Sequence, residues 1–180
     1  MPETLRLFLD RLDTPIGIML IITDAEGNLR ATDWDDHEPR MQTLFTRQYG
    51  KKGFTLEEAP APPNVTCALR QYFAGEVTAI DALPVKTAGT PFQREVWKAL
   101  RKIPCGTTTS YGELAAQIGR PAAVRAVGLA NGANPVGLVV PCHRVIGSDG
   151  TLTGYGGGLH RKSWLLRHEA GSGHAPDRLF

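Results

Sequence analysis

Cysteine is scarce in this 180-residue chain. Cys67, Cys105 and Cys142 are an odd number at wide spacing, with no C-x-x-C pair and no histidine cluster beside them. That excludes a disulfide framework and a structural zinc, and it suits a reduced, intracellular protein. Long apolar runs are missing too. The longest, "IGIMLII", falls far short of the ~20 residues that span a bilayer. The opening "MPETLRLFLDRLD" is salted with acids where a secretory leader needs an unbroken apolar stretch. A cytoplasmic location without a membrane partner is expected. Repeats and low-complexity segments are absent as well, and the length allows a proper core without covalent staples.

Acids are few in one half only. Up to Gly89 there are nine lysines and arginines against thirteen acids, and from Thr90 onward eleven against five. A net −4 therefore precedes a net +6, and the change falls in the Pro/Gly/Thr-rich stretch "LPVKTAGTP". Such asymmetry suits either an uneven solvated surface or a polyanionic partner for the second half. It also divides the chain: 1–89 as an N-terminal domain with its linker, 90–170 as a C-terminal domain, and 171–180 as a frayed Gly/Pro-rich tail.

The first half reads as mixed α and β. "LRLFLDRL" and "IGIMLIITD" are strand-like, "DAEGNL" is a turn and "LRATDW" returns as a third strand. Two helices follow. "EPRMQTLFTRQYG" sets Met41, Leu44 and Phe45 at helical spacing, and "PNVTCALRQYFAG" sets Val65, Ala68, Leu69 and Tyr72 on one face. Cys67, inside the second of these, is expected to be a small core residue.

In the second half, "TPFQREVW" offers Thr90 as N-cap, Pro91 at the first helical position and Gln93 to complete a capping box. The helix should run to about Lys102, with Phe92, Val96, Leu100 and Ile103 inward. A second capping box, Ser110 with Glu113 in "SYGEL", opens a helix facing Leu114 and Ile118 inward until Gly119, Arg120 and Pro121 break it. A third helix starts near Ala122, and the pair outlines a helix-turn-helix. In that third helix, "AAVRAVGLANG", Val124 and Val127 are expected to pack inward. Ala122, Arg125, Gly128, Leu129 and Gly132 share a face with almost no bulk. A small-residue face of this kind suits close packing against another helix. In a half-chain of net +6 it also suits a helix lying in a narrow DNA groove, with one arginine to insert.

The stretch "VVPCHRVIG", Val139 to Gly147, sets Cys142 and His143 behind a proline in a run that reads as a buried strand. Neighbours on a strand point to opposite faces, so the thiol and imidazole can cooperate only if Pro141 ends the strand and the pair lies on a turn. A thiol attacks as thiolate, and an imidazole oriented by a carboxylate is the arrangement that activates it. The nearest downstream acid in a helix is Glu169, in "SWLLRHE".

Together "PFQREVWKAL", "IPCGTTTSYGELA", "RAVGLANGANP", "VVPCHRVIG", "GTLTGYGGG" and "RKSWLLRHE" resemble the O6-alkylguanine-DNA alkyltransferases, most closely the standalone bacterial form. The likeness is specific from Thr90 to Glu169 and looser in the first half, at "FLDRLDTPIG" and "LRQYFAG". It implies an α/β (α+β) protein: a mixed α/β N-terminal domain, then a winged-helix-like C-terminal domain that contains the helix-turn-helix. It implies direct-reversal repair, in which Cys142 takes the alkyl group from O6-alkylguanine, and also from O4-alkylthymine, irreversibly and once. On this resemblance His143 is the base, acting through a water, and Glu169 orients its ring. Tyr111 assists the departing guanine and Asn134 braces the turn. Arg125 fills the gap left by a base flipped out through the minor groove of double-stranded DNA, with Ala126 and Gly128 also on the DNA side. Main-chain groups of Cys142, Val145, Gly156 and Gly157 read the guanine edge, and Tyr155 forms a wall. No cofactor or metal is implied, and the protein is expected to be a monomer.

Two departures bear on this. Some relatives carry a serine hydroxyl where this chain has Gly156, so a contact to O6 there must come from a backbone N–H. Some hold zinc through N-terminal cysteines and histidines, and those ligands are absent here. No cysteine-rich domain precedes the fold, so the transcriptional role of longer, two-headed relatives is not expected. The rival classes are a cysteine hydrolase, which leaves the helix-turn-helix and Arg125 unexplained, and a non-catalytic alkylated-DNA-binding relative, which carries tryptophan at the cysteine position. A plain DNA-binding regulator accounts for the charge but not for "PCHR".

Overall fold

The structure is a computed structural model that describes residues 4–171. Residues 172–180, most of the segment read above as a frayed tail, lie outside the described residues. The chain divides into two compact units, Met1–Gly89 and Thr90–Phe180.

In the first unit β1 (Leu5–Thr14), β2 (Gly17–Asp24) and β3 (Leu29–Trp34) form an antiparallel meander. Asp24 shapes the second turn by accepting from the backbone N–H groups of Glu26 and Asn28, each at 2.9 Å, which is the local bonding that makes aspartate a turn residue. A fourth strand, β4 (Phe54–Glu58), pairs parallel with β1 and gives the order β3-β2-β1-β4. The sequence reading did not include β4. Its half-buried Phe54 and Leu56 alternate with exposed neighbours and pack on the core cluster, but two apolar positions are too short a pattern to stand out in the sequence. Helix α1 (Glu38–Tyr49) closes the sheet with Met41, Phe45 and Tyr49 against Leu7, Leu9, Leu20 and Ile22.

Helix α2 (Pro63–Phe73) buries Val65, Ala68, Leu69 and Tyr72. Cys67 corrects the expectation of a core residue, because it is exposed. At 100° per residue it stands roughly opposite the stripe those four residues form, so helix geometry excludes it from the core.

In the second unit α3 (Pro91–Leu100) opens with both halves of the Thr90–Gln93 capping box. It ends two residues earlier than the spacing suggests, and a turn carries the chain through Ile103. Val96, Leu100 and Ile103 are buried. Phe92 is only half-buried, with the Arg120 guanidinium 5.5 Å from its ring centroid. Trp97 is buried instead and donates to the carbonyl of Ala130 at 2.8 Å, tying α3 to α5. Helix α4 (Tyr111–Gln117) carries the second capping box and buries Leu114 and Ala115, with Ile118 half-buried.

Helix α5 runs Val124–Gly132, two residues later than expected, because Arg120–Ala123 is a closed turn. Its buried face is Val127, Ala130 and Asn131. Val124 corrects a second expectation: it is 40% exposed rather than inward. The inward arc spans only about 100°, and Val124 falls just beyond it. The strands β5 (Thr109–Ser110) and β6 (Val145–Ile146) pair parallel and set the start of α4 beside the segment that follows Cys142. Helix α6 (Leu159–Ala170) ends the described chain.

The run leading into Pro141, whose Val139 and Val140 are read above as strand, is a third correction over Val136–Val140. It is buried except at half-buried Gly137, as its composition demands, but it is coiled into turns rather than extended. The N–H of Val139 bonds the carbonyl of Gly137 at 3.0 Å around Leu138, which has a φ of 75°. The N–H of Val140 bonds the carbonyl of Val136 at 2.9 Å. A left-handed leucine costs roughly 1–3 kcal/mol and survives where packing over-determines it. Leu138 is 1% exposed.

Candidate active site

The local backbone sets Cys142 and His143 on one turn. Pro141 has φ −82° and ψ 65°, and the Cys142 N–H bonds the Val140 carbonyl at 2.8 Å across it, an inverse γ-turn. Cys142–Arg144 then form one 3-10 turn. In such a turn successive side chains diverge by about 120° rather than 180°, so three neighbours can serve one site.

Asn134 holds this arrangement from below. Its amide donates to the Val140 carbonyl at 2.8 Å, and its Oδ1 accepts from the Val136 N–H at 3.0 Å. Cys142 itself is 7% exposed and His143 fully buried. The ring Nε2 lies 2.9 Å from Glu169 Oε2. Arg144 donates to the same carboxylate from Nε at 2.8 Å and Nη2 at 3.0 Å, and from Nη1 to the Ile103 carbonyl at 2.8 Å.

Burial alone would raise the Glu169 carboxyl, but the facing His143 and Arg144 outweigh it and hold the group well below the usual carboxylate range. An ionised carboxylate only accepts, so His143 Nε2 must carry the proton and donate it. Nδ1 is buried and without a hydrogen-bond partner, and in a neutral ring it is the acceptor nitrogen. The network therefore holds an imidazole in a fixed orientation, next in sequence to a thiol.

A second cluster is built around Lys162, near Cys142. The Lys162 side chain is fully buried, and its ammonium donates to the carbonyls of Val145 at 2.6 Å and Thr153 at 3.1 Å. Desolvation lowers this lysine to about 8, while the nearby Cys142 works in the opposite sense, favouring the charged form. The Tyr111 and Thr153 hydroxyls are 2.8 Å apart in a hydrogen bond. The Tyr111 ring lies over Gly128 of α5, with Cδ1 3.8 Å from the position a β-carbon would take there.

Sequence reasoning missed Arg144, Lys162, Asn131 and Thr153. Asn131 donates to the Cys142 carbonyl at 3.5 Å from the buried face of α5. Lys162 carries a signal that could have been used: at i+3 from Leu159 and i−3 from Leu165, it occupies an apolar stripe where a lysine is out of place.

Of the remaining residues singled out in the sequence, Arg125 and Ala126 are exposed on α5 and Gly128 is half-buried. Leu129, beside Arg125, is 72% exposed. Val145 is buried, its N–H bonded to the Cys142 carbonyl and its own carbonyl to Lys162. In the loop before α6, Tyr155 and Gly156 are half-buried and Gly157 is buried. The Gly157 carbonyl accepts from Arg161 at 3.0 Å, and the Gly158 N–H bonds the Tyr155 carbonyl at 2.9 Å. Among the described residues no group of three or more His, Cys, Asp or Glu side chains is placed to hold a metal ion. No described helix is long and apolar enough to cross a membrane.

Comparison with known proteins identifies the family. Residues 91–171 match the family described as "6-O-methylguanine DNA methyltransferase, DNA binding domain". The methylated-DNA--protein-cysteine methyltransferase of Shigella flexneri is 54% identical over 165 residues, 92% of this chain and 96% of that one. Its counterpart from Mycobacterium bovis is 58% identical over 171 residues, 94% and 96% of the two chains. The fold is similar to that of the crystal structure of Mycobacterium tuberculosis OGT in complex with DNA, with a TM-score of 0.77 and 41% identity over 96% of each chain. On the strength of identity sustained through both units, the chain belongs to the methylated-DNA--protein-cysteine methyltransferase family.

Proposed function

We propose that the protein reverses alkylation damage in double-stranded DNA by moving the alkyl group from guanine O6, or thymine O4, onto the Sγ of Cys142. The observation that carries this reading is the buried His143–Glu169–Arg144 network set against a cysteine at the head of a 3-10 turn. His143 Nδ1 takes the thiol proton through a water, and the imidazolium that results is balanced by Glu169. The thiolate attacks the alkyl carbon, an S–C bond forms, the C–O6 bond breaks and its electron pair goes to the purine. Tyr111 gives that purine a proton as it leaves. Main-chain groups of Cys142, Val145, Gly156 and Gly157 read the guanine edge, and Tyr155 walls the pocket. A thioether is a poor leaving group, so the alkyl group stays and each molecule acts once.

Reaching a base inside a duplex requires extruding it, and α5 supplies the means. Its exposed arc carries Arg125 with Ala126 and Leu129, and in this reading the helix enters a minor groove and the guanidinium fills the vacancy. The same reading takes the protein to be a monomer and, from its reduced cysteines, a cytoplasmic one.

Intact-mass measurement after mixing with O6-methylguanine duplex should show one added methyl per molecule, and peptide mapping should place it on Cys142. Cys67 is an internal control because it is the exposed thiol. A methyl on Cys67 or Cys105, or a protein returned unmodified as a hydrolase would be, overturns the assignment.

Arg125→Ala should slow repair of duplex by about tenfold or more, since extruding a base costs a few kcal/mol, and should barely change reaction with free O6-alkylguanine. Equal losses on the two substrates would make Arg125 a residue of the fold. Duplex affinity should also fall steeply with salt, as phosphate neutralisation by the basic half requires.

A further inference from the structure

We infer that Thr153 is a positioning residue for the departure of the purine, acting through Tyr111 by donating a hydrogen bond into the phenol oxygen. The inference rests on the proposed role of Tyr111 and adds a residue to it.

Thr153 is held at two points. Its carbonyl accepts from the buried Lys162 ammonium at 3.1 Å, which fixes the backbone, and its hydroxyl meets the Tyr111 hydroxyl at 2.8 Å. A phenol has one proton. If Tyr111 spends it on Thr153, none is directed at the base. If Thr153 donates instead, the phenol proton is free to face the purine, and only this arrangement serves proton transfer.

Donation into the phenol oxygen has a second effect. As the C–O6 bond breaks and the Tyr111 proton moves to the purine, negative charge grows on that oxygen. A hydrogen bond already aimed at it strengthens in the transition state more than in the ground state. Thr153 keeps its own proton throughout. The tyrosinate is reprotonated from solvent, which received the Cys142 proton by way of His143, so charge and protons balance.

The chemistry predicts a pattern that packing would invert. Thr153→Val keeps the shape and the carbonyl but removes the hydroxyl, whereas Thr153→Ser keeps the hydroxyl and removes the methyl. Single-turnover transfer from O6-methylguanine duplex should slow about three- to tenfold in Thr153→Val, the loss of one neutral hydrogen bond. Thr153→Ser should stay within about twofold of the parent, and the duplex Kd should be unchanged in both. In a Tyr111→Phe background, Thr153→Val should add nothing, because the pair acts as a unit.

A slow Thr153→Ser beside an unimpaired Thr153→Val would overturn the inference in favour of packing, as would a defect confined to Kd. Losses that multiply in the double variant would overturn it too. If Tyr111→Phe slows transfer while Thr153→Val does not, only the inference about Thr153 falls. If Tyr111→Phe is itself without effect, the proposed role of Tyr111 falls with it.

Discussion

Glu169→Ala is expected to lower stability by about 3–5 kcal/mol, because removing one member of a buried ion pair leaves the others uncompensated. Both survivors are enclosed: His143 is fully buried and Arg144 is 3% exposed. The same change should slow alkyl transfer by about a hundredfold or more, the usual scale of a positioned base, since the imidazole loses the acceptor that sets its tautomer. Glu169→Gln separates the two effects. The amide fills the same space and can accept from Arg144, but it cannot balance the imidazolium, so the rate should fall more than the stability.

Acid titration offers an independent check. The Glu169 carboxyl is lower in the folded protein than its ordinary value of 4.5. The unfolded state therefore binds the proton first, and the contribution of this group is complete above about 4.5 and lost as pH falls toward the depressed folded value. Glu169→Gln should flatten the stability profile in that acidic window and leave its shape near neutrality alone. Chemical denaturation between pH 3 and 7 would read this directly. An unchanged acid limb, or a Glu169→Ala protein that melts and reacts like its parent, would remove the network from both fold and mechanism.

Alkylated protein is expected to be less stable than fresh protein. Cys142 is 7% exposed in a turn packed among Asn134, Val140 and Val145, which are 2%, 2% and 0% exposed. Added volume in such a site costs about 1–3 kcal/mol, which is roughly 2–10 °C in midpoint for a chain of this size. The adduct also ends any attraction between a thiolate and the Lys162 ammonium, leaving that buried charge less compensated. A benzyl adduct should be worse than a methyl one, because it must displace the turn that Asn134 holds. Thermal melts after stoichiometric reaction with each donor would show it, and midpoints unchanged or raised for both would refute it.

Much of this could be read from the chain before any coordinates. Capping boxes are local chemistry, so Thr90 with Gln93 and Ser110 with Glu113 were legible and both are formed. A turn at Cys142 and His143 followed from the geometry of neighbouring side chains, although no strand precedes Pro141, and the carboxylate behind His143 could be sought on the one downstream helix with an acid. Tertiary partners were less visible. Arg144 stands in the same tripeptide as Cys142 and His143, yet nothing local says that its guanidinium turns toward Glu169. Composition also misled where it was read as a period: "VGLVV" is apolar because it is buried, not because it is extended. Cys67 and Val124 show the opposite error, in which an apolar side chain was assigned to a core already filled by its helical neighbours.

The position of Glu169 has a consequence for the order in which the protein comes into being. It follows His143 by 26 residues, on the last described helix, and a chain leaves the ribosome from its N-terminus. Cys142 and His143 are thus synthesised before their carboxylate partner, and the network cannot form until α6 has been made and has docked. Until α6 docks, the thiol has no organised base and should behave as an ordinary slow cysteine. For a molecule that acts once, the expected consequence is that reactivity follows completion of the domain rather than preceding it.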